Sequence, residues 1–284
     1  MGTELFAHRW PATTPRRRGG IYLLHGFGEH GARYGALATH LAGLGWEVAS
    51  HDHRGHGRSP GRHRLLREAS WADEASDRFR AFAREIEGPT LLFGHSMGGV
   101  VAAEMVLQRH LAVDGLILSS PGFQPMLTRT QQRQLRLMRR LAPRLVMSRP
   151  VDGARLSHDP QQVTAYRTDP LVHGRVSAGL VDWMQRCGAR SIELADQLEV
   201  DTLLLVGGAD RVVDPAASLA FARRAPADRL TLHCYDEGLH ELFNEMPSIR
   251  DRVLADLDVW LAGHFAASAG AAAKPEFSLG NPLT

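Results

Sequence analysis

A five-residue motif around Ser96 has the residue types of a catalytic serine. It reads Gly94-His95-Ser96-Met97-Gly98, after an apolar run at 90–93 and before a helical pattern. A serine that attacks a carbonyl carbon must present its hydroxyl at the end of a strand, on a turn with strained backbone angles. Glycines on either side of the serine let the strand and the helix pass closely without Cβ clashes. This order of strand, motif and helix predicts a nucleophile elbow at Ser96.

A serine hydroxyl is a weak nucleophile near neutral pH, so it needs a histidine as base and a carboxylate to orient that histidine. Asp210 follows the apolar run at 202–206, and His240 follows the run at 230–235. The order serine, aspartate, histidine along the chain is that of one known class of catalytic triad. We therefore predict that Ser96, Asp210 and His240 act together.

Asp214 is an alternative orienting carboxylate. Pro215 follows it directly, a pattern that favours a helix N-cap at Asp214. Asp210 lies closer to the end of its strand and is the preferred candidate.

An acyl-transfer site also needs two N–H donors for the oxyanion that forms during attack. The main-chain N–H of Met97, at the start of the elbow helix, is one candidate. The second is predicted at Phe27, in the glycine-containing loop that follows the apolar run at 21–24.

Three histidines and an aspartate lie within residues 51–59 and raise the question of a metal site. No helical spacing or second ligand cluster accompanies them, so we predict a turn packed beside the elbow, with no metal and no cofactor. His95, next to the nucleophile, is predicted to point away from it and to have a structural role.

The elements that must position these residues alternate between strands and helices. Such alternation predicts an α/β fold with a mostly parallel central sheet flanked by helices. An edge strand is predicted at 5–10. The other predicted strands are 21–24, 47–50, 90–93, 115–118, 202–206 and 230–235, and the helices are 32–44, 70–86, 98–110, 215–225 and 247–264.

The alternation stops between residues 121 and 198, where helical patterns and prolines dominate and no strand is predicted. We call residues 121–198 the insertion, and we predict that it is a helical cap over the strand ends. The core is then formed by residues 1–120 and 199–265. The tail at 266–284 is low in complexity and is predicted to be disordered.

Composition excludes several classes of function. The chain has 284 residues, is 44% hydrophobic and carries a net charge of +2, with no arginine-rich stretch interleaved with aromatic residues. Nucleic acid is therefore not an expected partner. We find no signal-peptide pattern and no membrane-spanning run, and expect a cytoplasmic protein. Cys187 and Cys234 are expected to be buried free thiols.

The motifs resemble the α/β-hydrolase superfamily and, within it, the monoacylglycerol lipase and lysophospholipase branch. The resemblance implies an α/β-hydrolase fold with an inserted cap, and a serine esterase that acts on monoacyl lipids, most simply monoacylglycerols. It rests on residues 25–30 with Arg33 and Tyr34, and on residues 52–59, 94–99, 169–172 and 208–213.

Other functions remain open at this point. A lysophospholipase, a broad short-chain carboxylesterase and an aminopeptidase-like amidase would use the same residues. The complete set of serine, aspartate and histidine argues against a non-catalytic ligand-binding relative, whereas a cofactor-free lyase or oxygenase would use the same three residues. Oligomeric state is not predicted.

A helix predicted at 129–145 is relevant to how such an enzyme binds its substrate. It places Leu135, Met138, Ala142 and Leu145 on one face and five arginines around it. Such a helix either packs on the pocket with its arginines in solvent, or contacts an anionic membrane surface transiently.

Overall fold

A seven-stranded sheet carries the site, and its middle strands are apolar because both faces are covered. The computed structural model describes residues 4–61, 70–142, 145–148 and 150–265. The strands of this sheet are β1 Ala7–Trp10, β2 Gly19–Leu24, β3 Trp46–His51, β4 Thr90–His95, β5 Gly115–Ser119, β8 Thr202–Gly207 and β9 Leu230–Tyr235. They lie in the order β1-β3-β2-β4-β5-β8-β9, and only the edge pair β1 and β3 is antiparallel. The predicted mostly parallel sheet is confirmed.

Side-chain alternation along the strands builds a separate core on each face of the sheet. On β4, Leu92 joins the cluster that contains Phe79 and Trp183, whereas Leu91 and Phe93 join the cluster that contains Trp260. Burying both faces accounts for the continuous apolar runs that identified these strands. The flanking helices are α1 Gly35–Gly43, α2 Ser70–Glu85, α3 Met97–Ala103, α7 Pro215–Arg224 and α8 Pro247–His264.

The helix that leaves the elbow changes its hydrogen-bonding pattern partway. It is predicted as one helix at 98–110, but α3 gives way to a π-helical turn at Glu104–Gln108. A helical pattern in sequence does not distinguish these two hydrogen-bonding registers.

The insertion lies between β5 and β8 and contains a small sheet that the sequence did not predict. Strands β6 (Val146–Ser148) and β7 (Arg175–Ser177) pair antiparallel. The expectation of no strand here was wrong, because three-residue strands are too short to show a period of two. The helices of the insertion are α4 Arg129–Leu141, α5 Pro160–Thr168 and α6 Ala178–Glu193.

Helix α4 is shorter than the predicted 129–145. It begins with a capping box at Thr128 and ends at Leu141. Leu145 therefore lies beyond the helix and is 53% exposed, which corrects its predicted place on the apolar face of this helix. Within the described ranges, no helix is both long and apolar enough to cross a membrane. The tail predicted at 266–284 lies outside the described residues.

Candidate active site

Ser96 lies on the predicted turn between β4 and α3. Its φ of 52° and ψ of −118° are in a region that residues with a side chain seldom adopt. The turn is tight: a Cβ added to Gly98 would lie 2.2 Å from the carbonyl oxygen of Leu24, and one added to Gly94 would lie 2.5 Å from the carbonyl oxygen of Gly98. Two positions without Cβ atoms therefore let the serine stand at the strand end.

The structure brings Ser96, His240 and Asp210 into one hydrogen-bonded chain. The Ser96 Oγ atom is 2.9 Å from His240 Nε2, and His240 Nδ1 is 2.6 Å from an Asp210 carboxylate oxygen. A carboxylate can only accept, so Nδ1 carries the proton and Nε2 is left to accept the serine hydroxyl. All three residues are buried.

Asp210 is fixed by the loop after β8. Its second oxygen accepts the main-chain N–H groups of Val212 and Val213 at 2.7 and 3.0 Å. Burial raises its pKa, but the charge and hydrogen bond of His240 and the two N–H groups outweigh burial, so the pKa of Asp210 is lowered. Asp214, the alternative, accepts the N–H of Ala216 and caps α7.

The electrostatic surroundings of His240 favour its protonated form. Burial lowers the pKa of His240, but the Asp210 charge and hydrogen bond, with the charges of Glu241 and Glu29, outweigh burial and raise it above 6.5. A base whose conjugate acid is stabilised can hold the serine proton during attack.

His95 lies closer to the site than predicted. Its ring centroid is 4.8 Å from that of His240, and it lines the same pocket. The expectation that it points away was wrong. His95 shares a strand face with Phe93, which packs on Phe243 just after His240. Burial, with the nearby His240 charge, lowers the pKa of His95 to about 3, so it is neutral.

The predicted oxyanion donors Phe27 and Met97 lie on two loops that approach Ser96. A Cβ added to Gly26 would lie 3.3 Å from the Cβ of Ser96, so the Phe27 loop passes directly beside Ser96. Met97 is the first residue of α3. In the described part of the chain, neither main-chain N–H has an acceptor.

A buried ionic network joins the Phe27 loop to the His240 loop. Glu29 accepts the N–H of Gly26 at 2.7 Å, the Tyr34 hydroxyl at 2.6 Å and Arg33 Nε at 2.9 Å. Arg33 then donates from Nη2 to Glu241, next to His240, at 2.5 Å. The sequence motif contained Glu29 and Arg33, but nothing in it indicated a partner at Glu241.

The histidines of residues 51–59 lie under the Phe27 loop. The ring of His53 is 4.3 Å from that of His25 and 4.9 Å from that of His51. Burial lowers the pKa of His25, His51 and His53, and it lowers that of His53 to about 4. Among the described residues, no group of His, Cys, Asp and Glu side chains is arranged to hold a metal ion.

Both cysteines are free. Cys187 is buried as expected, but Cys234 is exposed because it lies on the edge strand β9.

A mostly apolar pocket opens over Ser96, between the sheet and the insertion. Its polar lining includes Glu29, Gln131, Arg155, Tyr166 and Glu241. Its apolar lining includes Met126, Leu127, Val176, Val181, Met184, Val212 and Val213. An elongated apolar substrate with one polar end suits these walls.

Comparisons with known proteins agree with this arrangement. A family profile described as "Serine aminopeptidase, S33" matches residues 15–247. The monoglyceride lipase of Rattus norvegicus is 30% identical over 96% of this chain and 91% of its own length. The monoacylglycerol lipase of Mycolicibacterium smegmatis is 31% identical over 93% of this chain and 94% of its own.

Solved structures have the same fold. The crystal structure of Paleococcus ferrophilus monoacylglycerol lipase superposes with a TM-score of 0.80 at 31% identity, covering 92% of this chain and 99% of the other.

Proposed function

The chain belongs to the serine aminopeptidase S33 family and has the α/β-hydrolase fold, and on that basis we propose that it is a serine esterase that cleaves monoacylglycerols into a fatty acid and glycerol. The observation that carries this proposal is the hydrogen-bonded chain Ser96–His240–Asp210 at the base of an apolar pocket. Similarity to monoacylglycerol lipases over nearly the full chain supports the choice of substrate.

Acylation begins when the Ser96 Oγ atom attacks the ester carbonyl while His240 Nε2 takes its proton. Asp210 stabilises the imidazolium that results. The protonated His240 then donates its proton to the glycerol oxygen, and the carbon–oxygen bond breaks to leave an acyl-enzyme. Water, activated by the same nitrogen, repeats the sequence and releases the fatty acid.

The N–H groups of Phe27 and Met97 hold the oxyanion in this mechanism. Two preorganised donors of this kind lower the barrier by several kcal/mol. The ionic network through Glu29 and Arg33 supports this role, because it attaches the Phe27 loop to the loop that carries His240.

The insertion serves as the cap predicted at 121–198. Val176, Val181 and Met184, from β7 and α6, form part of the apolar wall above Ser96. An acyl chain against these side chains leaves the polar end of the pocket to the glycerol group.

The direct test is labelling with a fluorophosphonate probe and mapping of the modified residue, together with hydrolysis of a monoacylglycerol series of increasing chain length. We expect labelling at Ser96 and a chain-length optimum on glycerol esters. The variant Ser96→Ala should lose labelling and lower kcat by a factor on the order of 10⁴ to 10⁶.

The matched control is Ser218→Ala, since Ser218 is a buried serine on α7 that does not line the pocket. Labelling without glycerol-ester turnover would overturn the substrate, and turnover of aminoacyl amides instead would identify an amidase. Absence of labelling would overturn the mechanism.

Transient contact of α4 with a lipid surface would deliver such substrates. Leu137 and Leu141 on α4 are 58% and 74% exposed, and arginines surround them. Apolar side chains ringed by cations are typical of helices that lie on anionic membranes.

Sedimentation with anionic vesicles tests this contact. The double variant Leu137→Ser with Leu141→Ser should bind several-fold less protein than the parent. Val259→Ser on α8, which is 73% exposed, is the matched control. Equal binding of all three proteins would remove α4 from the proposal.

A further inference from the structure

His240 lies between two peptide groups that are bonded to other parts of the chain. The N–H of Glu241, just after His240, donates to the carbonyl of Leu156 at 2.8 Å. The N–H of Leu239, just before His240, donates to a carboxylate oxygen of Glu245 at 2.9 Å. Hydrogen bonds on both sides of a residue fix its backbone, and the backbone determines where its side chain can reach. The position of the imidazole therefore depends on these two partners.

Glu245 is a fully buried carboxylate, and both of its oxygens accept hydrogen bonds. One oxygen accepts the N–H of Leu239 and the Nδ1–H of His158, each at 2.9 Å. The other accepts the main-chain N–H groups of His158 at 2.9 Å and of Met246 at 3.1 Å. A carboxylate has about four acceptor positions, and four donors offset the cost of burying its charge here. Loss of that charge would therefore disturb four donors at once.

Residues 156–158, which we call the docking segment, belong to the insertion and lie along the loop that carries His240. The side chain of His158 is 45% exposed, whereas Leu156 and Ser157 are buried. Each residue of the docking segment is hydrogen-bonded to that loop: Leu156 to Glu241, the Ser157 hydroxyl to the carbonyl of Asn244 at 2.7 Å, and His158 to Glu245. The insertion thus contacts the His240 loop at three successive positions.

The insertion also contacts the loop that carries Asp210. The N–H of Met126 donates to the carbonyl of Val212 at 2.9 Å, and the N–H of Asp214 donates to the carbonyl of Gln124 at 2.8 Å. The insertion is therefore attached to both of the loops whose acid and base meet at 2.6 Å. The contact with Asp210's loop joins main chain to main chain, whereas the contact with the other loop includes a side chain that can be replaced.

We propose that Glu245 is a positioning residue, through which the insertion holds His240 at hydrogen-bonding distance from Ser96 and Asp210. Glu245 is not among the described residues that line the pocket, so it acts on the reaction through His240. The insertion then has two roles, as a wall of the pocket and as part of the frame that orients the base. This inference rests on the proposed function, since it concerns the same three reacting groups.

The test measures the second-order rate constant for fluorophosphonate labelling of Ser96 as a function of pH. In Glu245→Gln the new amide presents N–H groups to main-chain donors, so the turn before His240 must shift. The rate constant at high pH should fall about tenfold or more, because a misplacement of about 1 Å costs on the order of 10²-fold. The pH step should move lower, because an imidazole farther from the Asp210 carboxylate has a lower pKa.

A purely structural role of Glu245 predicts a different result. Partial unfolding would lower the fraction of protein that is labelled and leave the rate constant and the pH step of the folded fraction unchanged. The matched control is Glu47→Gln, because Glu47 is a buried carboxylate on β3 that accepts the N–H of Ala12 and does not line the pocket. Its rate constant should match that of the parent. Equal falls in the two variants would overturn the positioning role.

Ser157→Ala tests the same contact without a change of charge, and it keeps the test available where Glu245→Gln does not fold. It removes the hydrogen bond from the docking segment to the carbonyl of Asn244. The rate constant should fall several-fold, the effect of one lost hydrogen bond, whereas Ser218→Ala on α7 should have no effect. A fall in Glu245→Gln with no change in Ser157→Ala would overturn the role of the insertion.

The parent protein separates this inference from the proposed function. Labelling needs an activated serine but no particular ester, so the measurement does not depend on the lipid substrate. Absence of labelling at Ser96 in the parent would overturn the proposed mechanism. Labelling of Glu245→Gln and Ser157→Ala at the parent rate and with the parent pH step would overturn the positioning role alone.

Discussion

His240 lies between the Asp210 carboxylate, which stabilises the protonated imidazole, and the hydroxyl of Ser96. The Asp210 carboxylate accepts a hydrogen bond from the Nδ1–H of His240 at 2.6 Å, and the Ser96 hydroxyl lies 2.9 Å from Nε2. Because the pKa of His240 is raised above 6.5, the imidazole is protonated and inactive as a base in mildly acidic solution. Activity should therefore depend on pH through this one group.

We expect kcat/KM on a soluble ester to rise with pH through a single step centred above pH 6.5 and then reach a plateau. In Asp210→Asn the step should move to lower pH, because the charge that stabilises the imidazolium is gone. The plateau should fall by roughly 10³- to 10⁴-fold, since the amide favours the wrong tautomer. A pH–rate profile of both proteins measures these changes.

Asp214→Asn is the matched control, because Asp214 caps α7 and does not contact His240. Its profile should match that of the parent. An unchanged pH step in Asp210→Asn would contradict the assigned role.

The network of Glu29, Arg33 and Glu241 predicts an unusual dependence of stability on pH. In Arg33→Gln two buried carboxyl groups lose their cation, and breaking a buried pair of this kind costs about 3–5 kcal/mol of unfolding free energy. Their folded pKa values then lie above the ordinary glutamate value of 4.5, so the loss is small below that pH and grows as pH rises. Urea denaturation at pH 5 and pH 8 measures the difference.

Arg167→Gln removes an exposed pair with Asp152 and is the control. It should change stability by less than about 1 kcal/mol at either pH. A pH-independent loss in Arg33→Gln would contradict the ionic explanation.

Sequence reasoning predicted the three residues that meet at the strand ends, because parallel strands place their following loops at one edge. It did not predict that His95 lies beside His240. Alternation along a strand gives the face on which a residue lies, but it does not show which loop packs on that face. It also did not pair Arg33 with Glu241, because residues so distant along the chain carry no local signal.

At the scale of elements, the crossing of β2, β4 and α3 leaves no room for a side chain at Gly98. An added Cβ would lie 2.2 Å from the Leu24 carbonyl oxygen, which is backbone and does not move freely. The close packing of α3 against β2 and the backbone geometry of the elbow therefore depend on the absence of a Cβ atom at Gly98.

We expect Gly98→Ala to lower the free energy of unfolding by about 3 kcal/mol or more and to reduce activity, since the strand and helix must separate. Gly263→Ala, in α8, is the matched control: no atom lies within 4 Å of its added Cβ. It should stabilise the protein by about 0.5–1 kcal/mol through better helix propensity. Thermal or urea unfolding distinguishes the two, and equal effects would contradict the packing argument.

Long elements were predictable because burial on both sheet faces produces continuous apolar runs. Short ones were not: β6 and β7 have three residues each, and the π-helical turn after α3 has the same apolar pattern as a helix. The end of α4 at Leu141 rather than 145 does have a signal in the sequence, because Pro143 disfavours helical backbone at Ala142.

At the scale of the whole molecule, the protein buries an unusual set of neutral histidines. Burial lowers the pKa of His25, His51, His53 and His95 in the folded state. The unfolded chain binds protons at these side chains below about pH 6.5, so the folded state loses relative stability as pH falls. His240, with a raised pKa, acts in the opposite direction but is a single group.

We expect the free energy of unfolding to fall by several kcal/mol between pH 7 and pH 5, because each histidine still neutral at pH 5 costs about 2 kcal/mol there. Urea denaturation across this range measures the fall. Replacing His53 by Gln should flatten the curve, whereas His40→Gln, at a half-exposed pair with Asp258, should not. A flat curve for the parent protein would contradict the assignment of neutral histidines.

The position of the insertion has a consequence for how the chain folds. Strands β5 and β8 are neighbours in the sheet, with Leu116 paired to Thr202, yet all of residues 120–201 separate them. Closing so long a loop costs conformational entropy before any strand contact repays it, and such topologies fold slowly. On the ribosome, β1 to β5 and the Ser96 turn emerge well before Asp210 and His240. The segment that carries Ser96 is therefore synthesised long before His240, the residue to which its hydroxyl is hydrogen-bonded in the finished fold.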